Sequence, residues 1–318
     1  MRAKLFPGIL TALMPVVLPM KMSKAHLIAL FIFIVLSWGL AWPINKIGLQ
    51  YMSPLWYTTT RLLIGACAML SIVIATKNFS LPERKDIPLI LIIGLLQISI
   101  YILLTNIGLA YLPAGRSSLI AYTTPLWVMP IATLFFKEEA GFLRWLGFTL
   151  ALVGLIVLMN PWELKWHDHN FLLGSGALLL ASLCWAISII CVRHMHWSKT
   201  PLELMPWQLL TGAVPVLIFA MYKEPNIQVT WNLPLISSLI YTGVLVTGIS
   251  YWCAIIINKA LPAVVLSLGF LIVPVFSFAV SAVYLKEVIN LSTLTAIILI
   301  VLGLAFVVVE KNKPVLTD

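Results

Sequence analysis

Arg61 stands in RLLIGA, within a stretch from 55 to 76 that has no acidic residue. A guanidinium there could hold a carboxylate or phosphate through paired N–H donors, and a charge inside an apolar span is a functional candidate by default. It lies about six residues past the start of the stretch, roughly 9 Å deep at 1.5 Å per residue. Two structural roles compete: snorkelling to the near surface, or capping backbone carbonyls of a neighbouring helix. Arg116 is a weaker companion. Trp38, Trp42, Tyr122, Trp127, Trp185, Tyr251 and Phe270 also fall within apolar stretches. Aromatic walls with a few hydroxyls suit an amphiphilic molecule better than a bare ion, and could hold an amino or sulfonium group by cation–π contact. Helix packing is the plain alternative. Trp56, Trp145, Trp162 and Trp231 lie near stretch ends, where interfacial anchoring suffices.

Pro125 and Pro274 each remove a backbone donor and crowd the carbonyl four residues earlier, of Ala121 and Phe270. Ser117, Ser118, Tyr122, Thr123 and Thr124 surround the first of these breaks. Either a local hydroxyl satisfies the freed carbonyl, or kink and hydroxyls face a cavity. Trp38-Gly39 is expected at a cavity wall, whereas Pro43 and Lys46 read as a helix terminus.

Other chemistry is missing from the pattern. All eleven acidic residues fall in loops, at helix ends or in the tail, so no mid-span carboxylate is placed to carry a coupled proton. Glu138 and Glu287 close helices beside Lys137 and Lys286 and read as structural. Cys67, Cys184, Cys191 and Cys253 show no metal or disulfide spacing, and His167-Asp168-His169 reads as a solvated loop. No cofactor and no metal site is implied.

The elements that must position these residues are membrane helices. The 318-residue chain is 61% hydrophobic and 10% charged, with mean hydropathy +1.04, and soluble domains carry about 25% charged residues. Ten predicted spans cover 25–45, 55–76, 87–111, 117–136, 143–160, 170–192, 206–222, 233–257, 263–285 and 291–310. Little is left for a soluble catalytic domain. Residues 1–24 read as an N-terminal extension, because Pro7, Pro15 and Pro19 interrupt its apolar run, and 311–318 as a tail. With the first span starting inside, Lys46, Arg116, Lys165, Lys223 and Lys286 lie outside, Arg61 lies within a span, and the other 14 of the 20 Lys and Arg lie inside. Both termini are therefore expected in the cytoplasm, and the net charge of +9 marks topology in a cell inner membrane rather than nucleic-acid binding.

The chain repeats itself. Trp38 and Trp185, and RLLIGA and QLLTGA, are 147 residues apart. At a spacing of 149 come Pro113 and Pro262, Pro125 and Pro274, Lys137-Glu138 and Lys286-Glu287, and Gly154 and Gly303. Each copy (25–160 and 170–310) holds five helices, an odd number, so the second enters from the opposite side. Inverted repeats are the basis of alternating access around a midplane site.

This ordered set (LSWGLAWPINK and LLASLCWAISII, the prolines, FFKEE and YLKEV, LVGLIV and VLGLAF) resembles the EamA branch of the drug/metabolite transporter superfamily. The resemblance implies an all-α integral membrane fold of ten helices, with the first, third and fourth of each repeat lining a cavity for amino acids or related metabolites. Two departures, Cys184-Trp185-Ala186 without a Trp-Gly pair and Gln208 in place of Arg61, make that site asymmetric. The cavity candidates are Trp38, Gly39, Trp42, Arg61, Ser118, Tyr122, Pro125, Trp185, Tyr251, Phe270 and Pro274. The function expected is a uniporter or exchanger for a small metabolite, working in the lipid bilayer without nucleic acid. Alternatives are a membrane enzyme acting on lipid-linked substrates, uptake of a nucleoside-type metabolite such as S-adenosylmethionine, and a channel. Gly147, Ala151 and Gly154 form a small-residue face that could seat a second copy in a homodimer.

Overall fold

The computed structural model describes residues 23–136, 141–159, 168–195, 197–286 and 291–309. The expectations for residues 1–22, Lys137, Glu138, Glu139, Trp162, Lys165, His167, Glu287 and the tail from Glu310 fall outside these. The described chain is helical: α1 (Lys24–Gly48), α2 (Pro54–Ala75), α3 (Arg84–Tyr111), α4 (Ala114–Phe135), α5 (Phe142–Met159), α6 (His169–His194), α7 (Pro201–Lys223), α8 (Leu233–Ala260), α9 (Ala263–Gly269 continued by Ile272–Tyr284) and α10 (Leu291–Val309). Among the described residues, eight helices are long and apolar enough to cross a membrane, while α5 and α10 are shorter apolar helices.

Local chemistry explains where the boundaries moved. α7 begins at Pro201, five residues before the predicted span, because Thr200 and Glu203 form a reciprocal capping box with Pro201 in the first turn. A charge-free criterion excludes Glu203, yet this carboxylate is part of the cap. Asp168 caps α6, its Oδ1 accepting from the Asn170 amide at 3.0 Å. α4 breaks at Tyr122 and Thr123, and α9 at Phe270 and Leu271, just ahead of the two prolines. Local donors satisfy the freed carbonyls: Thr124 Oγ1 donates to Ala121 at 3.3 Å, and the Val273 amide to Phe270 at 3.0 Å.

The repeat is visible in the packing. α2 packs on α7 and α5 on α10, while α3 against α6 is matched by α8 against α1, α2 against α8 by α7 against α3, and α9 against α1 by α4 against α6. Glycines set the closest approaches. A Cβ at Gly65 would lie 2.9 Å from the Gly243 carbonyl, and at its mate Gly212 2.6 Å from the carbonyl of Gly94, the mate of Gly243. Both junctions involve wider π-helical turns, Ile93–Ile100 in α3 and Tyr241–Ser250 in α8. At the α5–α10 seam, a Cβ at Gly154 would lie 2.9 Å from the Ala296 carbonyl and one at Gly303 2.5 Å from that of Gly147. The small-residue face of α5 is thus covered by α10 of the same chain.

Two basic residues close helix ends in the same repeated way. Lys46 Nζ donates to the Leu109 and Leu112 carbonyls at 2.6 and 3.0 Å, and Arg193 Nη1 to the carbonyl of Leu261, the mate of Leu112, at 2.6 Å. These charges complement the helix C-termini of α3 and α8. Lys46→Met should cost about 2 kcal/mol, the worth of a charge-assisted bond, read as a lower Tm of the purified protein; an unchanged Tm would leave Lys46 with only a role in topology.

Candidate functional site

A cavity of about 40 Å³ lies between α1, α2, α3, α4, α6 and α8. α1 lines it with Trp38, Ala41, Trp42 and Asn45, whose three- and four-residue spacing is one helix face. α3 contributes Tyr101 and Thr105 together with Ile102, Asn106 and Leu109. Arg61 comes from α2, Tyr122 from α4, Trp185 from α6, and Val246 and Tyr251 from α8. The wall runs from Trp185 and Tyr251 towards the end of the bundle where Lys46 sits.

Arg61 is 4% exposed, which rules out snorkelling. Its Nε donates to Thr247 Oγ1 at 2.6 Å and its Nη1 to Asn45 Oδ1 at 3.4 Å, so its partners are side chains rather than helix-end carbonyls. The same Asn45 oxygen accepts from Tyr57 Oη at 3.2 Å. Among the described residues the carboxylates are occupied elsewhere: Glu224 accepts from Ser53, Glu203 from Thr200 and Ser80, Asp86 from the Ser198 amide, and Glu83 pairs with Lys199. A guanidinium has five N–H donors, and here a buried one borders a cavity with neutral partners. One helical turn away, Thr58 Oγ1 accepts from Asn106 Nδ2 at 2.9 Å, and Asn106 Oδ1 has no partner among the described residues. Anion donors from α2 and an unused acceptor from α3 therefore belong to residues that line the same cavity.

Deeper in, the walls are aromatic. Trp38 and Trp185, mates in the repeat, meet edge to face with ring centroids 5.4 Å apart. Tyr251 lies 5.5 Å from each, and Tyr101 lies 4.8 Å from Trp185. Trp42 and Tyr122 form a looser pair at 6.4 Å. Trp38 Nε1 is buried without a partner among the described residues. The arrangement presents π faces and a donor beside a polar end, the pattern of a small-molecule pocket.

Of the candidates named from sequence, Trp38, Trp42, Arg61, Tyr122, Trp185 and Tyr251 border this cavity. The others stand elsewhere. A Cβ at Gly39 would overlap the Phe276 ring, so this glycine serves the approach of α1 to α9. Ser118 Oγ turns back to the Gly115 carbonyl at 2.7 Å, and Thr123 Oγ1 to that of Ile120 at 2.8 Å. Pro125 and Pro274 are buried at the helix breaks. Phe270 sits 5.1 Å from Trp38 and stacks on Phe31, bracing the aromatic wall from outside the lining. Trp127 Nε1 donates to Ser182 at 2.9 Å, a packing role, and Arg116 is not in the lining. Helix two supplies the charge, and α9 supplies only a brace, unlike the lining implied by the resemblance. Asn45, Tyr101, Thr105 and Asn106 escaped sequence reasoning; Asn45 continues the Trp38 and Trp42 face at helical spacing, which was the available signal.

Comparison with known proteins agrees with this architecture. An "Uncharacterized transporter YvbV" of Bacillus subtilis is 28% identical, covering 90% of this chain and 93% of its own. A "Probable amino-acid metabolite efflux pump" of Salmonella typhimurium is 28% identical over 86% of this chain and 92% of its own. A crystal structure at 18% identity superposes with TM-score 0.68 over 87% of this chain and 98% of the other, showing the shared fold. The model of the EamA-like transporter family matches residues 26–160 and 172–309, one match for each half of the packing just described, and the chain belongs to that family.

Proposed function

We propose that this protein carries small zwitterionic metabolites of the amino-acid class across the membrane by alternating access, as a uniporter or exchanger. The observation that carries the reading is Arg61, a buried guanidinium on a cavity wall whose partners among the described residues are neutral. An isolated charge in an apolar interior is costly, and a substrate carboxylate is the natural counter-ion. Asn106 Oδ1 and the faces of Trp38, Trp185 and Tyr251 would receive the ammonium group and side chain. The relative named as an amino-acid metabolite efflux pump supports the same class.

The excess of Lys and Arg on one side supports an inner-membrane orientation with cytoplasmic termini, which turns the Lys46 end, and with it the cavity, outward. Among the described residues no carboxylate lines the cavity, which favours substrate exchange over proton coupling. In liposomes containing only this protein, an imposed proton gradient should therefore not concentrate labelled amino acid, whereas unlabelled amino acid on the far side should speed its entry. Accumulation driven by the gradient would refute the coupling, and no flux of any amino acid would refute the substrate class.

A further inference from the structure

The repeat that places Arg61 on the open cavity also assigns a partner to every other wall position. Arg61 maps to Gln208 at 147 residues, and Val246 and Leu109 map to Gln97 and Asn258 at 149. These three mates are amides, and all are buried, at 0%, 3% and 4% exposure. Among the described residues each leaves polar atoms without a partner: both amide atoms of Gln208, Oε1 of Gln97 and Oδ1 of Asn258. Asn258 Nδ2 alone is engaged, donating to the Ile189 carbonyl at 3.1 Å.

Orphaned amides are uncommon in a settled core, where buried polar groups are nearly always bonded. Among the described residues three of the four such amides stand at mates of cavity residues, the fourth being Asn106 of the cavity itself, and the packing around Gln208 is the mirror of that around Arg61. A Cβ at Gly94 would approach the Gln208 carbonyl at 2.8 Å, as one at Gly243 would approach that of Arg61 at 3.1 Å.

We propose that Gln208, Gln97 and Asn258 form the polar wall of a second vestibule, closed in this structure, that opens towards the Arg193 end when the two repeats exchange conformations. It would bind the same amino-acid substrate, so the substrate part of the inference rests on the function proposed above. Its chemistry differs in one respect: neutral amides, which can both donate to a carboxylate and accept from an ammonium, replace the fixed positive charge. The carrier then holds a carboxylate by charge at one face and by amide hydrogen bonds at the other.

Two experiments test this. The first needs no substrate: Asn258→Cys, in a chain whose Cys67, Cys184, Cys191 and Cys253 are alanine, is exposed in proteoliposomes to a membrane-impermeant maleimide on one face at a time. Labelling from the Arg193 face alone is the expected result; no labelling from either face would overturn the vestibule. The second compares Gln208→Leu with the parent. KM for amino acid at the Arg193 face should rise about tenfold, as for a lost hydrogen bond to a charged group, with KM at the Lys46 face within about twofold. A raised Tm with both KM values unchanged would make Gln208 a mere orphan in the core and overturn its role. If the parent carries no amino acid, the proposed substrate class fails, and the labelling result still decides the vestibule.

Discussion

Arg61→Gln should lower amino-acid transport by about 10- to 100-fold while the protein folds at least as stably as before. The magnitude follows from removing a charge-assisted hydrogen-bonded contact worth about 1.5–3 kcal/mol to a carboxylate. The stability expectation comes from the surroundings of the guanidinium. Thr247 and Asn45 can bond an amide as well as an arginine, and the variant removes an isolated buried charge whose desolvation is unfavourable. Arg61→Lys keeps a charge but loses the planar fork, so it should recover only part of the activity. Binding and folding thus move in opposite directions. Transport assays in proteoliposomes beside thermal unfolding would separate them; parallel loss of both would mean that Arg61 is a structural residue, and unchanged transport would remove it from the substrate site.

Gly212→Val should be strongly destabilising at the α7–α3 junction. The first added carbon would stand 2.6 Å from the Gly94 carbonyl and 2.8 Å from Ile98 Cγ2. Overpacking of this kind costs about 1–3 kcal/mol and sometimes more, and a rigid backbone carbonyl cannot swing aside as a side chain can. Gly176 gives the internal control, since nothing lies within 4 Å of a Cβ there. Gly176→Ala should instead gain about 0.5–1 kcal/mol by restricting the unfolded chain and favouring the helix. Equal Tm values for the two variants would contradict the close approach of α7 to α3.

Sequence reached the architecture because bilayer physics is read from composition and period. Ten apolar stretches, an odd number in each repeat, and the pairs Trp38 with Trp185 and Pro125 with Pro274 are enough to expect a two-repeat helical membrane fold. Side-chain direction was less legible. Ser118 and Thr123 resemble cavity hydroxyls in sequence, yet a serine or threonine in a helix readily bonds a carbonyl of the preceding turn, and both do. Asn106 was missed for the opposite reason: one asparagine in an apolar helix shows neither its partner Thr58 nor its unused oxygen. The neutral partners of Arg61 also depended on tertiary structure, because Asn45 and Thr247 come from helices far apart in the chain. Gln208 departs from the repeat in sequence, but only its burial without partners among the described residues suggests a use for it.

The most direct test of the substrate site is a comparison in proteoliposomes of inhibition by an α-amino acid and by its decarboxylated amine, measured on the parent and on Arg61→Gln. If Arg61 receives the carboxylate, the parent should favour the amino acid by at least about tenfold, the worth of one charge-assisted bond, and the preference should collapse in the variant. The same preference in both proteins would show that the carboxylate is held elsewhere and would contradict the site.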